Sequence, residues 1–266
     1  MTDGSAERPR TQQLLNSACP VLDAPPRRAG TLGAVVDQVD GVDGHGAAAR
    51  PAWRRRTPGE HRWPVVVGVI VAIGLQLMLP DQVVPQARYV LPVLEFVVLV
   101  GLVVVNPFRI DRQSSALRMA SLGLTGLVVL ANAWSVVLLV GELVSGRPAP
   151  PVELLLAGGE IWLINMLAFA LVYWELDRGG PAARAHAVAD LPDFLFQQMQ
   201  SPDFAPRNWK PAFVDYVYLS FTNATAFSPT DVMPLSRWAK LTMLVQAAVA
   251  LVIVVLVVAR AINALS

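Results

Sequence analysis

The sequence has few of the residues that build buried metal and redox sites. Its 266 residues include one cysteine, Cys19, and three histidines, and all four lie outside the long apolar runs. The histidines are His45, His61 and His186. One cysteine cannot form a disulfide framework, and the histidine positions exclude structural zinc and haem held by a buried histidine pair. We therefore expect no metal site and no cofactor.

Charged residues are also scarce. They make up 15% of the chain against 54% hydrophobic residues, with a formal net charge of +1 and a mean hydropathy of +0.48. Soluble domains contain about 25% charged residues, so the composition is not that of one water-soluble globule. The balanced charge gives no electrostatic reason to expect nucleic acid as a partner.

Enzyme motifs are missing from the chain. It contains no phosphate loop, no dinucleotide glycine fingerprint, no Gly-x-Ser-x-Gly elbow and no His-Glu-x-x-His. Membrane proteases that use serine or zinc need a histidine at membrane depth, and the three histidines lie elsewhere. We therefore do not expect an enzyme.

The chain divides at Trp63. Residues 1–62 are rich in Pro, Gly, Ala, Arg and Asp and hold no apolar periodicity beyond a turn or two, which predicts a largely disordered arm. From Trp63 to residue 266 the composition is that of a membrane domain, in which each spanning helix needs about 20 apolar residues. Five runs meet or approach that length: 64–80, 89–107, 117–141, 152–174 and 236–262. The pattern predicts an all-α polytopic bundle of five spanning helices.

Arginine and lysine define the orientation of these helices. If the five helices alternate, fourteen Arg and Lys residues near the spans lie on one side of the membrane and three on the other. Because positive residues concentrate on the cytoplasmic side, the amino terminus is expected in the cytoplasm. The 19 arginines against 2 lysines suggest a GC-rich bacterial genome, and hence a bacterial inner membrane.

A segment at 211–228 is neither a span nor an ordinary loop. Its apolar and aromatic part, 212–222, is about half a bilayer long as a helix. Small and hydroxyl residues follow it as far as Pro229. The pattern predicts a re-entrant segment, and the alternative is an amphipathic helix lying in the interface. The polar residues expected at the turn are Thr222, Asn223, Thr225 and Asp231.

The same region resembles a known family. Residues 216–231 read Tyr-Val-Tyr-Leu-Ser-Phe-Thr-Asn-Ala-Thr-Ala-Phe-Ser-Pro-Thr-Asp and are followed by Ser236, Arg237 and a final apolar helix. This run is similar to the carboxyl-terminal signature of an uncharacterised bacterial family of multi-pass membrane proteins, domain of unknown function 1345. The similarity extends more loosely to residues 164–173 in the fourth span. It implies a multi-pass membrane fold, and the family supplies no activity.

The layout is also similar to the pore helix, filter and inner helix of potassium channels. Ser220, Phe221, Thr222 and Thr225 lie where a pore helix has its hydroxyl-rich end. The following residues, 226–229, include no glycine, although a potassium filter needs glycine to turn successive carbonyls inward. The resemblance therefore implies a pore-loop layout without a potassium filter.

Polar residues inside the predicted spans are the candidate site. Glu95 and Glu160 each lie about six residues into a helix that enters from outside, roughly 9 Å deep. If the second and fourth helices touch, the two carboxylates can meet and share one proton. Asn132, Asn165 and Gln246 lie nearer the midplane. Amides there either line a path or join helices by hydrogen bonds.

Two functional hypotheses follow from these groups. The first is a channel-like or transporter-like protein for a small ion or proton, bound by Glu95 and Glu160, with Asn165, Gln246 and the turn at 222–225 lining the path. The alternative is a non-conducting membrane scaffold or assembly protein that uses the same groups to join helices, as a homo-oligomer. The expected partners are the lipid bilayer, a small ion in the first case, and further copies of the chain.

Overall fold

The computed structural model describes residues 51–80, 89–110, 114–145, 150–225 and 231–265. The described chain is mostly helical. Its helices are α1 (Trp63–Met78), α2 (Val90–Val105), α3 (Ser115–Ser145), α4 (Pro151–Leu176), α5 (Pro181–Ala185), α6 (Gln197–Gln200), α7 (Phe213–Thr225) and α8 (Arg237–Leu265). Single 3₁₀ turns occur at Ala52–Arg54, Asp177–Gly179 and Pro202–Phe204.

Two short antiparallel strand pairs join distant parts of the chain. Strand β1 (Glu60–His61) pairs with β2 (Arg109–Ile110), so the start of α1 and the end of α2 lie at the same end of the structure. Strand β3 (Phe194–Leu195) pairs with β4 (Met233–Pro234) just before α8. Both pairs have two residues per strand, so they connect helices and add little to the core.

The predicted helical membrane class is confirmed in part. Three segments are long and apolar enough to cross a membrane: Ser115–Ser145, Val152–Gly179 and Arg237–Ala259. Helices α1 and α2 are apolar but have 16 residues each, which is about 24 Å of helix. That length is less than the hydrocarbon thickness of about 30 Å, so five crossings are not established by length.

Helix α4 is the central element of the bundle. It packs against α1, α3, α7 and α8, and α2 packs between α1 and α3. Its alanines and isoleucines, such as Ile161, Ile164, Ala168 and Ala170, have no exposed surface. A helix that is apolar on all sides is a buried helix, and this explains why the fourth apolar run lacks a polar face.

Helix α7 runs antiparallel to α4 from one end of the bundle into its interior. The Phe213 ring contacts Trp174 at 6.0 Å between centroids, and the Phe221 ring contacts Trp162 at 5.9 Å. Trp162 precedes Trp174 by three helical turns, which is about 18 Å along α4. After α7 the chain is again at the starting end, because β4 pairs with β3. Helix α7 therefore leads away from this end of the bundle, and β4 lies at this end again.

Part of the amino-terminal arm differs from the expectation of disorder. Residues 51–62 contain a 3₁₀ turn and β1, and the Thr57 amide donates to the Ala185 carbonyl at 2.9 Å. Sequence periodicity missed this segment because it is held by contacts with distant residues. The rest of the predicted arm, residues 1–50, lies outside the described residues.

Helices α4 and α8 pack closely against each other at Gly158. A Cβ atom added there would overlap the Cγ2 methyl of Val257, which is itself buried. The neighbouring Gly159 has open space at the same position. Gly158 therefore permits this helix contact, and Gly159 provides a matched control.

We expect Gly158→Ala to destabilise the protein by about 1–3 kcal/mol, because the added methyl must push Val257 and α8 away. Gly159→Ala should be neutral or slightly stabilising, since alanine has the higher helix propensity. Thermal unfolding of both variants in detergent provides the measurement. Equal stability of the two variants would contradict the close α4–α8 contact.

Candidate functional site

A buried ionic cluster lies where α4 ends. We call Glu60, Trp174, Asp177, Arg184 and Tyr216 the α4-end cluster. The Arg184 guanidinium donates from Nε to Glu60 Oε1 at 2.8 Å and from Nη1 to the carbonyls of Trp174 and Asp177 at 2.7 and 2.9 Å. The Trp174 indole donates to Glu60 Oε2 at 2.6 Å, and the Tyr216 hydroxyl donates to Asp177 Oδ2 at 2.6 Å. The cluster thus joins β1, α4, α5 and α7.

The backbone after α4 brings Arg184 into this position. Arg178, Gly179 and Gly180 have φ of 53°, 79° and 96°, a left-handed run that reverses the chain at the end of the helix. At Gly180 a Cβ would strike the Arg118 guanidinium and the Glu175 carbonyl, so only glycine fits. The reversal turns α5 back under α4, where Arg184 donates to the Trp174 carbonyl in the last turn of the helix and to the Asp177 carbonyl just after it.

Asp193 joins this turn to the start of α8. Its backbone amide donates to Asp177 Oδ1, and its own carboxylate accepts from the Arg178 amide and the Trp238 indole. The Leu235 amide donates to the Asp193 carbonyl at 2.8 Å. Asp193 therefore links the segment between α5 and α6 to the turn after α4 and to the start of α8.

Opposite charges define the electrostatics of the α4-end cluster. Burial alone lowers the pKa of Arg184, but the adjacent Glu60 carboxylate, with Tyr216 and Asp177, raises it above its ordinary value. Arg184 therefore stays charged. Its side chain is 5% exposed and that of Glu60 is 11% exposed, so each charge depends on the other for neutralisation.

The two glutamates named as candidates have different surroundings. Glu95 on α2 has no exposed surface, and the Gln76 Nε2 on α1 donates to both of its oxygens at 3.2 Å. Glu160 on α4 is half-buried, and its Oε2 has no hydrogen-bond partner among the described residues. No hydrogen bond within the described part of the chain joins Glu95 to Glu160.

Asn165 has a partner on the neighbouring helix. The Asn132 Nδ2 on α3 donates to Asn165 Oδ1 at 3.0 Å, and both side chains are buried. The Asn132 Oδ1 and the Asn165 Nδ2 remain without a hydrogen-bond partner in the described ranges. This amide pair therefore keeps one donor group and one acceptor available within the bundle.

Gln246 joins three helices. Its Nε2 donates to the carbonyl and hydroxyl oxygens of Ser220 at 2.9 and 2.6 Å, and its Oε1 accepts from the Tyr173 hydroxyl at 2.6 Å and the Asn223 amide at 2.9 Å. The Ser220 hydroxyl in turn donates to the Met166 carbonyl at 2.6 Å. These bonds use the full hydrogen-bonding capacity of the Gln246 amide, so it holds α7 against α4 and α8.

The other residues expected at the re-entrant turn lie at the end of α7 or after it. Thr222 and Thr225 are in the last turns of the helix, and their hydroxyls donate to carbonyls of the preceding turn. Asp231 is exposed just before β4. Residues 226–230, which include the compared filter position, lie outside the described residues.

Within the described ranges, no group of three or more His, Cys, Asp and Glu side chains could hold a metal ion. No family model, curated protein or solved structure matches this chain. The class that the structure supports is therefore the coarse one, a mostly helical protein with three helices long enough to cross a membrane.

Sequence reasoning missed the α4-end cluster. Its members come from parts of the chain as distant as Glu60 and Tyr216, and no local spacing unites them. One signal was present: residues 174–181 place three charged residues, two glycines and a proline directly after an apolar span. Such a run indicates a sharply turned helix end with charges that need partners.

We expect Arg184→Gln to destabilise the protein by about 3–5 kcal/mol, because it leaves the buried Glu60 carboxylate without its cation. The matched control is Arg207→Gln, since Arg207 is exposed and its removal should change stability by less than about 0.5 kcal/mol. Thermal unfolding in detergent compares the two. If both variants melt at the same temperature, the Arg184 ion pair is not a stabilising contact.

Proposed function

We propose that this chain is a bacterial inner-membrane protein in which α1, α2, α3, α4 and α8 all cross and α7 is a re-entrant helix. The return of the chain to the end where α7 began supports this topology. The excess of Arg and Lys at the same end supports a cytoplasmic location for it and for the amino terminus. An interfacial position for α7 fits less well, because Leu219 and Ser220 are fully buried against the bundle.

Cysteine labelling tests this topology. In a Cys19→Ser background, single cysteines at Asp203 and Asp231, both exposed, should be protected from an impermeant thiol reagent in intact cells. A cysteine at Ser266 should react, because five crossings put the carboxyl terminus outside. Opposite behaviour of positions 203 and 231 would show that the segment between them crosses the membrane, and the re-entrant assignment would then be wrong.

We further propose that the bundle conducts or transports a proton or a small cation, with Glu95 as its binding group. The observation that supports this proposal is the environment of Glu95, which is fully buried and, among the described residues, bonded to the neutral Gln76 amide and to no cation. An ionised carboxylate without a cation is costly inside a membrane. A proton or a small cation supplies the missing neutralisation.

Other polar groups extend this site along the bundle. Glu95 precedes the end of α2 at Val105 by about 15 Å of helix, and Asn165 precedes the end of α4 by about 16 Å, so both lie at similar depth. The unpaired Asn132 Oδ1 can bind water or the cation there, and the unpaired Asn165 Nδ2 can donate to water. Glu160 lies further toward the opposite end. Gln246, whose bonds are all used, positions α7 in this proposal.

Flux into proteoliposomes tests the transport proposal. Under a proton or potassium gradient we expect the unmodified protein to catalyse flux, and Glu95→Gln to lower it at least about tenfold because the replacement cannot bind a cation or proton. Glu160→Gln should have a smaller effect. The control is Glu153→Gln, which changes an exposed glutamate in the first turn of α4 and should leave flux unchanged.

The second candidate is a non-conducting membrane scaffold. Gln246 favours the scaffold, because all the hydrogen bonds of this buried amide join α8 to α4 and α7. Absence of flux under every gradient, together with a stable homo-oligomer, would support the scaffold. Equal flux from the unmodified protein and from Glu95→Gln would instead remove Glu95 from the transport proposal.

A further inference from the structure

A cavity of about 420 Å³ lies beside the α4-end cluster, outside the groups used so far. It is enclosed by the end of α2, the start of α3, the end of α4 and the start of α5. Its volume falls within the range of small-molecule sites. The polar side chains that line it include Arg62, Asn106, Ser114, Ser115, Arg118 and Glu175.

Arg62 is the unusual member of this lining. The residue is 8% exposed, and its guanidinium forms no hydrogen bond or ion pair within the described part of the chain, with Nε buried and unpartnered. Burial lowers the pKa of Arg62, and the nearby Glu175 opposes that change. A buried guanidinium without a bonded anion is unfavourable, and among the described residues no carboxylate is hydrogen-bonded to Arg62.

The other positive charge in the cavity already has a partner. The Arg118 Nη1 donates to Glu175 Oε1 at 2.6 Å, and the Ser121 hydroxyl donates to Glu175 Oε2 at 2.9 Å. Among the described lining residues, the two arginines and one glutamate therefore leave one positive charge. Since both oxygens of Glu175 are engaged, the remaining charge is that of Arg62.

The start of α3 adds neutral donors to the same cavity. Ser114 and Ser115 line it, and α3 begins at Ser115 and continues for 31 residues. The first amides of a helix have no partner within the helix and favour an anion. The guanidinium, the hydroxyls and the helix start together are donors suited to an oxyanion.

We propose that this cavity binds a phosphate group, with Arg62 as its principal charged donor. The shared chemistry admits two sources, the phosphodiester of a phospholipid headgroup and a free phosphate or small phosphorylated solute. The volume exceeds that of a phosphate alone, and Leu102, Ile110 and Leu117 give the cavity an apolar wall. The site is independent of Glu95 and of the transport proposal.

Two binding measurements on the purified full chain separate the sources. Native mass spectrometry after delipidation measures the retention of added dioleoyl phosphatidylglycerol, and the thermal shift with inorganic phosphate measures the free anion. We expect Arg62→Gln to weaken binding of whichever probe occupies the cavity by about tenfold or more, the loss of a charge-assisted hydrogen bond. Retention of the lipid without a phosphate effect assigns a headgroup, and a phosphate shift assigns a free phosphate.

Two further variants keep the test decisive. Arg237→Gln removes an exposed arginine at the start of α8, so it should bind both probes as the unmodified protein does. Ala182→Leu narrows the cavity without changing its charge and should also weaken binding, so it substitutes for Arg62→Gln if that variant does not fold. Equal binding of both probes by the unmodified protein, Arg62→Gln and Ala182→Leu would overturn the proposal.

Discussion

The ion pair between Arg184 and Glu60 is the contact on which the end of the bundle where α4 terminates depends. Neither charge is tolerable alone in a nearly dry site, so the two must be brought together from positions 124 residues apart. Their meeting fixes α5 beneath the end of α4 and fastens β1 to the bundle. The same guanidinium binds the last carbonyls of α4, while Tyr216 and Asp177 join α7 to that end. The Arg184–Glu60 ion pair and the hydrogen bonds around it thereby fix the end of α4 and the start of α7.

Polar groups inside the bundle fall into two kinds. Every donor and acceptor of the Gln246 amide is hydrogen-bonded to a neighbouring helix. A fully hydrogen-bonded amide in a low-dielectric interior holds its surroundings in one arrangement. The pair Asn132 and Asn165 is only half satisfied, and Glu95 has an amide partner without a countercharge. The first kind explains why α7 stays inside the bundle. The second kind leaves hydrogen-bonding and charge capacity that a proton, an ion or water can use, and it motivates the transport proposal.

The two proposed sites, Glu95 and the cavity beside Arg62, carry buried charges of opposite sign. Among the described residues, no cation is bonded to the buried Glu95 carboxylate and no anion is bonded to the buried Arg62 guanidinium. They lie on adjoining elements, since Arg62 directly precedes α1 and Gln76 near the other end of α1 binds Glu95. A phosphate held by Arg62 would fix the start of α1 against α3 and the end of α4. Because Glu175 lines that cavity and belongs to α4, occupancy of the cavity would also brace the turn that positions Arg184.

The sequence alone predicts the lengths and positions of the main helices. A long apolar run indicates a buried or lipid-facing helix, whichever neighbours that helix packs against. The predicted ends differ from the observed ones by at most four residues, at Ser145 of α3. Asn165 and Gln246, which the same counting places inside their helices, are both fully buried. Residue spacing did not predict which side chains on different helices contact each other. Glu95 accepts hydrogen bonds from Gln76 of α1, a partner that the sequence does not indicate. The sequence of an apolar helix does not identify the helix that it will contact, because one leucine-rich face can pack against many others. Partner choice is made by side-chain shape and by charges that meet only after the chain has folded.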